Sequence, residues 1–205
     1  MHAQVLDTAN VVPIKERTAS GGEVWWYVNY DPPRPYGNFF IDFAGVEHRI
    51  LFWQAWGAGI EGFHYWSVNH ARPGQDPRRR QLDVTPVNGD GFLVYPGEDG
   101  PVNSVRWEII RDGIEDYGYL VLLAQRLGAV EREAGRERAA EAWVRIGLPE
   151  LLTDLTNFAR DPGVLLRKRL AVARMLEELG RSPGGLPSHT SPETLDGLVE
   201  TKAAG

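Results

Sequence analysis

The chain has 205 residues, of which 42% are hydrophobic and 24% are charged, a composition typical of a globular domain with a real core. Its formal net charge of -6 offers no basic face for phosphates, so we expect no nucleic-acid partner. Cysteine is absent, which excludes disulfides and thiolate chemistry. We expect neither a membrane span nor a signal peptide. The sequence does not indicate the cellular compartment.

The first half of the chain mixes short apolar runs with Gly, Pro and Asn. These runs predict a helix over 11–20, a strand over 23–30, a helix over 46–59, a strand over 62–69 and a strand over 91–97. A strand, a helix and a second strand in this order are typical of a parallel crossover unit. Between the last two strands we expect a long loop without regular structure.

Helical spacing dominates from Ser104 onward. It predicts helices over 104–127, 137–146, 149–160 and 161–180, the first capped by Ser104 and the last by Asp161. The apolar face of the first helix is expected to consist of Ile109, Ile110, Ile114, Tyr117, Leu120 and Leu123.

Charged residues are dense in the first of these helices, between 106 and 116. We expect them to form ion pairs along the helix, and we expect Asp42 in the preceding half to pair with Arg49. Residues 181–205 show no periodicity and are predicted to be a disordered tail.

Hydrogen-bonding and aromatic side chains stand at the carboxyl ends of the three predicted strands, which is where parallel α/β proteins bind ligands. A pyranose has one apolar C–H face and a fringe of hydroxyls, so it suits an aromatic ring surrounded by amides and hydroxyls. The pattern therefore favours a carbohydrate pocket, with an aromatic core as the alternative interpretation of any single Trp. The predicted binding residues are Tyr27, Asn29, Tyr30, Trp66, Asn69 and Tyr95.

Other ligand chemistries have little support in the sequence. It contains neither a GxGxxG motif after a strand nor a phosphate-binding loop, so we predict no cofactor. The five His residues form no HxxxH or HxH pair and Cys is missing, so we predict no metal site. Adjacent Asn-Gly and Asp-Gly steps at 88–91 are interpreted as turns rather than as a calcium loop.

Three stretches carry a family resemblance. They are EVWWYVNYDPPRPYGNFFIDFAGVEHRILFWQAWGAGIEGFHYWSVN (23–69), NGDGFLVYPG (88–97) and SVRWEIIRDGIEDYGYL (104–120). In this order they resemble the C-terminal half of glycoside hydrolase family 123 and its uncharacterised relatives, over roughly residues 5–180. The resemblance implies a (β/α)-barrel whose last three strands are 24–30, 62–68 and 92–95, with residues 3–6 a stub of the strand before.

The resemblance also implies an activity, that of an exo-acting β-N-acetylgalactosaminidase. In that family the acetamido oxygen of the substrate attacks the anomeric carbon, an Asp orients this group, and an adjacent Glu is the acid/base. In this sequence no Asp is followed by Glu, so no catalytic residue is assigned and enzymatic activity stays open.

The expected fold is therefore α/β. Residues 1–103 would form the last three to four strands of a partial (β/α)-barrel, residues 104–180 a helical segment packed on it, and residues 181–205 the tail. The expected function is to supply the aromatic and amide wall of a pocket for an amino-sugar glycoside, completed by a missing N-terminal half or by self-association. The alternative is a non-catalytic carbohydrate-binding or protein-interaction module.

Overall fold

A computed structural model describes residues 11–70 and 87–180. These residues form a mixed α/β structure that is mostly helical. In chain order its elements are α1 (Val11–Ala19), β1 (Trp25–Val28), α2 (Gly45–Gly57), β2 (Gly62–Tyr65), β3 (Val94–Pro96), β4 (Pro101–Asn103), α3 (Val105–Ala134), α4 (Arg136–Ile146), a 3-10 turn (Leu148–Glu150) and α5 (Pro162–Gly180). None of the helices within these ranges is long and apolar enough to cross a membrane.

The strands β1 and β2 pair in parallel, with Trp26 opposite Phe63 and Val28 opposite Tyr65. The chain passes through α2 between them, so the predicted strand–helix–strand unit is confirmed. Trp26 and Val28 are fully buried under α1 and α2, whereas Trp25 and His64 on the other face of the sheet are exposed. Only one face of this small sheet is therefore covered by helices within the described part of the chain.

The third predicted strand differs from the expectation. Its residues Val94–Pro96 form β3, which pairs with β4 in an antiparallel hairpin rather than as a third parallel strand. The cause is the tight turn between Gly97 and Gly100, in which the Gly97 N–H donates to the Gly100 carbonyl at 2.9 Å and Gly100 has a φ of 139°. Just before β3, the pairing of Phe92 with Asn69 is also antiparallel.

Helix α2 is buried on nearly all sides. One side, which includes Leu51, Phe52 and Ala55, packs against the sheet, and the other, which includes Ile50 and Trp53, packs against the helices that follow. The two apolar clusters of the protein thus meet at this one helix. Without the sheet on one side, or without the helices on the other, a large apolar surface of α2 would be exposed to water.

Helix α3 begins where predicted, because the Ser104 side chain accepts a hydrogen bond from the Trp107 N–H at 3.1 Å. Its buried face is not purely apolar, however. Ile114 was expected to be buried but is 58% exposed, whereas the stripe that faces inward includes Arg106, Gly113 and Asp116. Gly113 belongs to this stripe because a Cβ there would lie 2.2 Å from the Phe52 ring, so α2 approaches the helix closely at this point.

The fully buried Asp116 side chain binds three partners on two other helices. It accepts hydrogen bonds from Arg49 Nε at 2.6 Å and Nη2 at 2.8 Å, from Trp53 Nε1 at 2.9 Å and from Arg169 Nε at 2.8 Å. We call these four residues the Asp116 cluster. The predicted pair of Asp42 with Arg49 is wrong, because the Arg49 guanidinium is directed into this cluster instead.

The helix predicted over 149–160 is also wrong. After the turn Leu148–Glu150 the chain is irregular, and Leu152 and Phe158 form an antiparallel bridge. The Asp154 carboxylate causes the break, because it accepts the N–H groups of Thr156 and Asn157, both at 2.8 Å, and competes with helical bonding. The helices predicted over 11–20, 46–59, 137–146 and 161–180 are confirmed, and the predicted tail lies outside the described residues.

Removing the charge of Asp116 tests the cluster. We expect Asp116→Asn to lower the free energy of unfolding by about 3–5 kcal/mol, because two partly buried guanidinium groups would lose their fully buried carboxylate. The matched control is Asp112→Asn, one turn away, where a carboxylate that is 41% exposed contacts the same Arg49 at 3.4 Å. That change should cost less than about 1 kcal/mol. Urea denaturation measures both values, and equal losses would contradict the role given to burial.

Candidate functional site

The candidate site lies where the chain leaves β2 and meets the loop 89–92. Asp90 in this loop is only 1% exposed. Its Oδ1 accepts hydrogen bonds from the Tyr65 hydroxyl at 2.8 Å and from Trp66 Nε1 at 2.9 Å. Two consecutive residues at the end of the strand are thereby held by one buried carboxylate.

The loop approaches Trp66 through its glycines. Gly89 and Gly91 have φ values of 80° and 78°, a conformation that favours Gly. A Cβ at Gly91 would lie 2.5 Å from Trp66 Cζ2, so the indole lies directly against the loop backbone. The His70 ring lies on the same indole, with ring centroids 4.8 Å apart. Trp66 nevertheless remains 39% exposed, which leaves a fixed aromatic surface open to solvent.

Arg106 of α3 binds the backbone of this loop. Its guanidinium is buried and donates to the carbonyl oxygens of Phe39 at 2.6 Å and Gly89 at 2.8 Å, and also to that of Phe92. A further hydrogen bond of 3.1 Å reaches the hydroxyl of Tyr95. One side chain of α3 therefore joins the loop after β1, the loop 89–92 and β3.

The loop after β1 is fixed by a fully buried amide, that of Asn38. Its Nδ2 donates to the carbonyl oxygens of Asn29 at 3.0 Å and Pro32 at 3.1 Å, and its Oδ1 accepts the Phe39 N–H at 2.7 Å. These bonds hold the segment that follows β1 beside the loops joined by Arg106, because Phe39 takes part in both sets.

Two ionisable groups near the site are held neutral. Burial, reinforced by the neighbouring Asp90 carboxylate, raises the pKa of the Tyr65 phenol, so its hydroxyl remains a donor. Burial also lowers the pKa of His48 to about 4, and the nearby Arg106 adds to this effect. His48 Nε2 lies 2.9 Å from the Phe40 carbonyl oxygen, which can only accept, so this nitrogen carries the proton.

The predicted binding residues occupy different settings. Trp66 and Asn69 are exposed beside the loop 89–92, and Tyr95 is half-buried with its hydroxyl on Arg106. Tyr27 lies on the same strand pair, where its ring contacts His64 with centroids 6.4 Å apart.

The remaining two predicted residues follow β1. Asn29 closes a turn, because its Oδ1 accepts the Asp31 N–H at 2.9 Å, and Tyr30 is exposed. Trp66, Asn69 and Tyr95 are thus linked through one loop, whereas no described contact joins Tyr27, Asn29 or Tyr30 to Trp66.

Sequence reasoning missed the residues that hold this arrangement, namely Asp90, Tyr65 and Arg106. The one available signal was the succession of turn-forming residues Asn-Gly-Asp-Gly at 88–91, which was interpreted only as a turn. An Asp between two glycines can also bury its carboxylate, because the glycines let the backbone approach neighbouring side chains closely. No group of three His, Asp or Glu suited to a metal ion occurs within 11–70 and 87–180.

A parallel strand pair with an aromatic and polar site at its carboxyl end is typical of the α/β enzymes that bind small ligands. Residues 2–123 match the family described as glycoside hydrolase 123, catalytic domain. Because the match covers more than half of the 205 residues, the chain belongs to this family, and it is glycoside-hydrolase-like with a carbohydrate as its class of substrate. No curated protein matches the chain.

The buried neutral His48 predicts a pH dependence of stability. In the unfolded chain a histidine has a pKa near 6.5, whereas in the fold that of His48 is about 4. Above pH 6.5 both states are neutral and the stability is complete. Between pH 6.5 and 4 only the unfolded state takes up the proton, so the fold loses up to about 3 kcal/mol.

Urea denaturation at several pH values measures this loss. His48→Gln should remove that part of the pH dependence, because Gln can still donate to Phe40 but does not titrate. The control His64→Gln changes an exposed histidine and should leave the wild-type slope intact. The same slope in wild type and H48Q would contradict the assignment.

Proposed function

We propose that the described residues form one wall of a carbohydrate pocket, with Trp66 as the surface on which the apolar face of an amino-sugar glycoside stacks. The observation that carries this proposal is the exposed indole of Trp66, held at the carboxyl end of β2 by the buried Asp90. The apolar C–H face of a pyranose suits a fixed aromatic surface of this kind.

The setting of the strand pair supports the same function. β1 and β2 are covered by helices on one face only, as in a (β/α)-barrel, where the other face of each strand lines the interior. We therefore propose that β1, α2 and β2 are a part of the family's barrel and that Tyr27, Asn29, Tyr30, Asn69 and Tyr95 complete the wall. The division into residues 1–103, 104–180 and 181–205 stays a prediction.

The proposed role is binding rather than bond cleavage. The resemblance places the acid/base in an adjacent Asp-Glu pair, and the sequence has no such pair. Hydrolysis by the family's substrate-assisted route would need these carboxylates from another polypeptide or another segment. No catalytic role is proposed for Asp90, because its carboxylate is buried and accepts hydrogen bonds from the Tyr65 hydroxyl and Trp66 Nε1.

Titration calorimetry with methyl N-acetyl-β-galactosaminide and the purified chain tests the proposal. Trp66→Ala should weaken binding by about 1–3 kcal/mol, roughly 5- to 150-fold, because one stacking partner is lost. The matched control is Trp25→Ala, because Trp25 is 54% exposed and lies at the opposite end of the same strand pair. This variant should bind like the wild type.

A second ligand tests the amino-sugar preference. Methyl β-galactoside has the same ring without the acetamido group, so weaker binding of this ligand would support an amino-sugar site. If the wild-type chain binds neither glycoside at millimolar concentration, or if W66A and W25A bind alike, the proposed function is wrong.

A further inference from the structure

The burial of Asp90 is unusual for a residue in a surface loop. A carboxylate removed from water loses several kcal/mol of hydration unless donors replace the water. Among the described residues, the donors to Asp90 are the Tyr65 hydroxyl and Trp66 Nε1, both on Oδ1. Tyr65 is itself anchored, because its hydroxyl accepts the Gly91 N–H at 2.9 Å. Two hydrogen bonds of the Tyr65 hydroxyl, one to the Asp90 carboxylate and one from the Gly91 N–H, therefore tie Tyr65 to this loop. Trp66 binds the same carboxylate.

The loop that carries Asp90 is fixed on both sides of this residue. Arg106 binds the carbonyl oxygens of Gly89 and Phe92, and the Leu93 N–H donates to the Val68 carbonyl at 2.8 Å. The carboxylate is thus placed by the fold rather than by Trp66. It can direct the indole because its own position does not depend on that ring.

Contacts from three directions orient Trp66. Asp90 binds its polar edge, and the Gly91 backbone lies so close that an added Cβ would be 2.5 Å from the indole. The His70 ring lies with its centroid 4.8 Å from that of the indole, at an angle of 57°. Because Nε1 already donates to Asp90, the exposed part of the indole is its carbon surface. A ligand would meet an apolar surface whose orientation is set before binding.

We propose that Asp90 is a positioning residue, which fixes the Trp66 indole so that the apolar ring surface faces the ligand. This inference rests on the proposed function. Fixing a side chain before binding removes the cost of ordering it later, which for one aromatic side chain corresponds to about a two- to tenfold gain in affinity. Asp90 acts through Trp66 and does not itself contact the sugar.

The test combines indole NMR signals with affinity for methyl N-acetyl-β-galactosaminide. The chain has seven Trp and therefore seven indole N–H signals, and the signal lost in Trp66→Ala identifies Trp66. In Asp90→Ala we expect this signal to shift and its exchange with water to accelerate, because its acceptor is gone, while the other six signals stay in place. Affinity should fall about two- to tenfold, less than in W66A.

Two further variants separate positioning from a general loss of structure. Asp90→Asn keeps an oxygen that can accept both hydrogen bonds, so the Trp66 signal and most of the affinity should be retained. Tyr65→Phe removes the neighbouring bond but leaves that of Trp66, so slow exchange of the Trp66 indole should persist. If D90A does not fold, D90N and Y65F alone test whether Asp90 positions the Trp66 indole.

The proposal is overturned if D90A leaves the Trp66 signal and the affinity unchanged, or if D90N or Y65F loses the Trp66 signal. It is also overturned if all seven signals of D90A move together, since Asp90 would then serve the whole fold. Failure of the proposed function is distinguishable. In that case the wild type does not bind the glycoside or W66A binds equally well, whereas the exchange of the Trp66 indole still reports on Asp90.

Discussion

The placement of α3 and α5 against α2 depends on the buried carboxylate of Asp116. It is a single negative charge on α3 that receives two guanidinium groups, Arg49 from α2 and Arg169 from α5, together with the Trp53 indole. Apolar packing alone allows helices to slide and rotate with small changes in energy. Directed hydrogen bonds to a carboxylate do not, because each shifted arrangement would leave a buried charge without its partner.

The same helix carries the second constraint, Arg106, about three turns away from Asp116. It binds carbonyl oxygens of the loop after β1 and of the loop 89–92, which are far apart in the sequence. Loop carbonyls have no strand or helix partner of their own, so a buried guanidinium with several donors is well suited to satisfy them. Because α3 is fixed on α2 by Asp116, Arg106 transmits that fixed position to the loops and so to Trp66.

Local patterns in the sequence were sufficient for most helices and for the parallel strand pair, because apolar spacing reports directly which side of an element is buried. The same reasoning failed where a polar side chain decides the structure. Asp154 redirects backbone bonds within four residues. Asp116 has the same helical spacing as Ile109 and Leu123, but a charged residue is not expected to be buried on an apolar face. The role of Asp90 could not be predicted from the sequence for another reason. Its hydrogen bond to Trp66 joins residues 24 positions apart, and no short sequence pattern encodes such a contact.

The boundary of the family match clarifies how the two halves of the chain depend on each other. The match ends at residue 123 within α3, so Arg49 and Asp116 belong to the matched part whereas Arg169 lies outside it. The matched part alone would therefore leave the carboxylate with one guanidinium fewer and would expose the side of α2 that packs on α5. A division at residue 103 falls between β4 and α3, but contacts cross it, because α2 packs on α3 and Arg106 binds the Phe39 carbonyl oxygen. The strand pair that carries Trp66 and the helices that follow it are held by the same buried helix, and the site is only as rigid as that shared core.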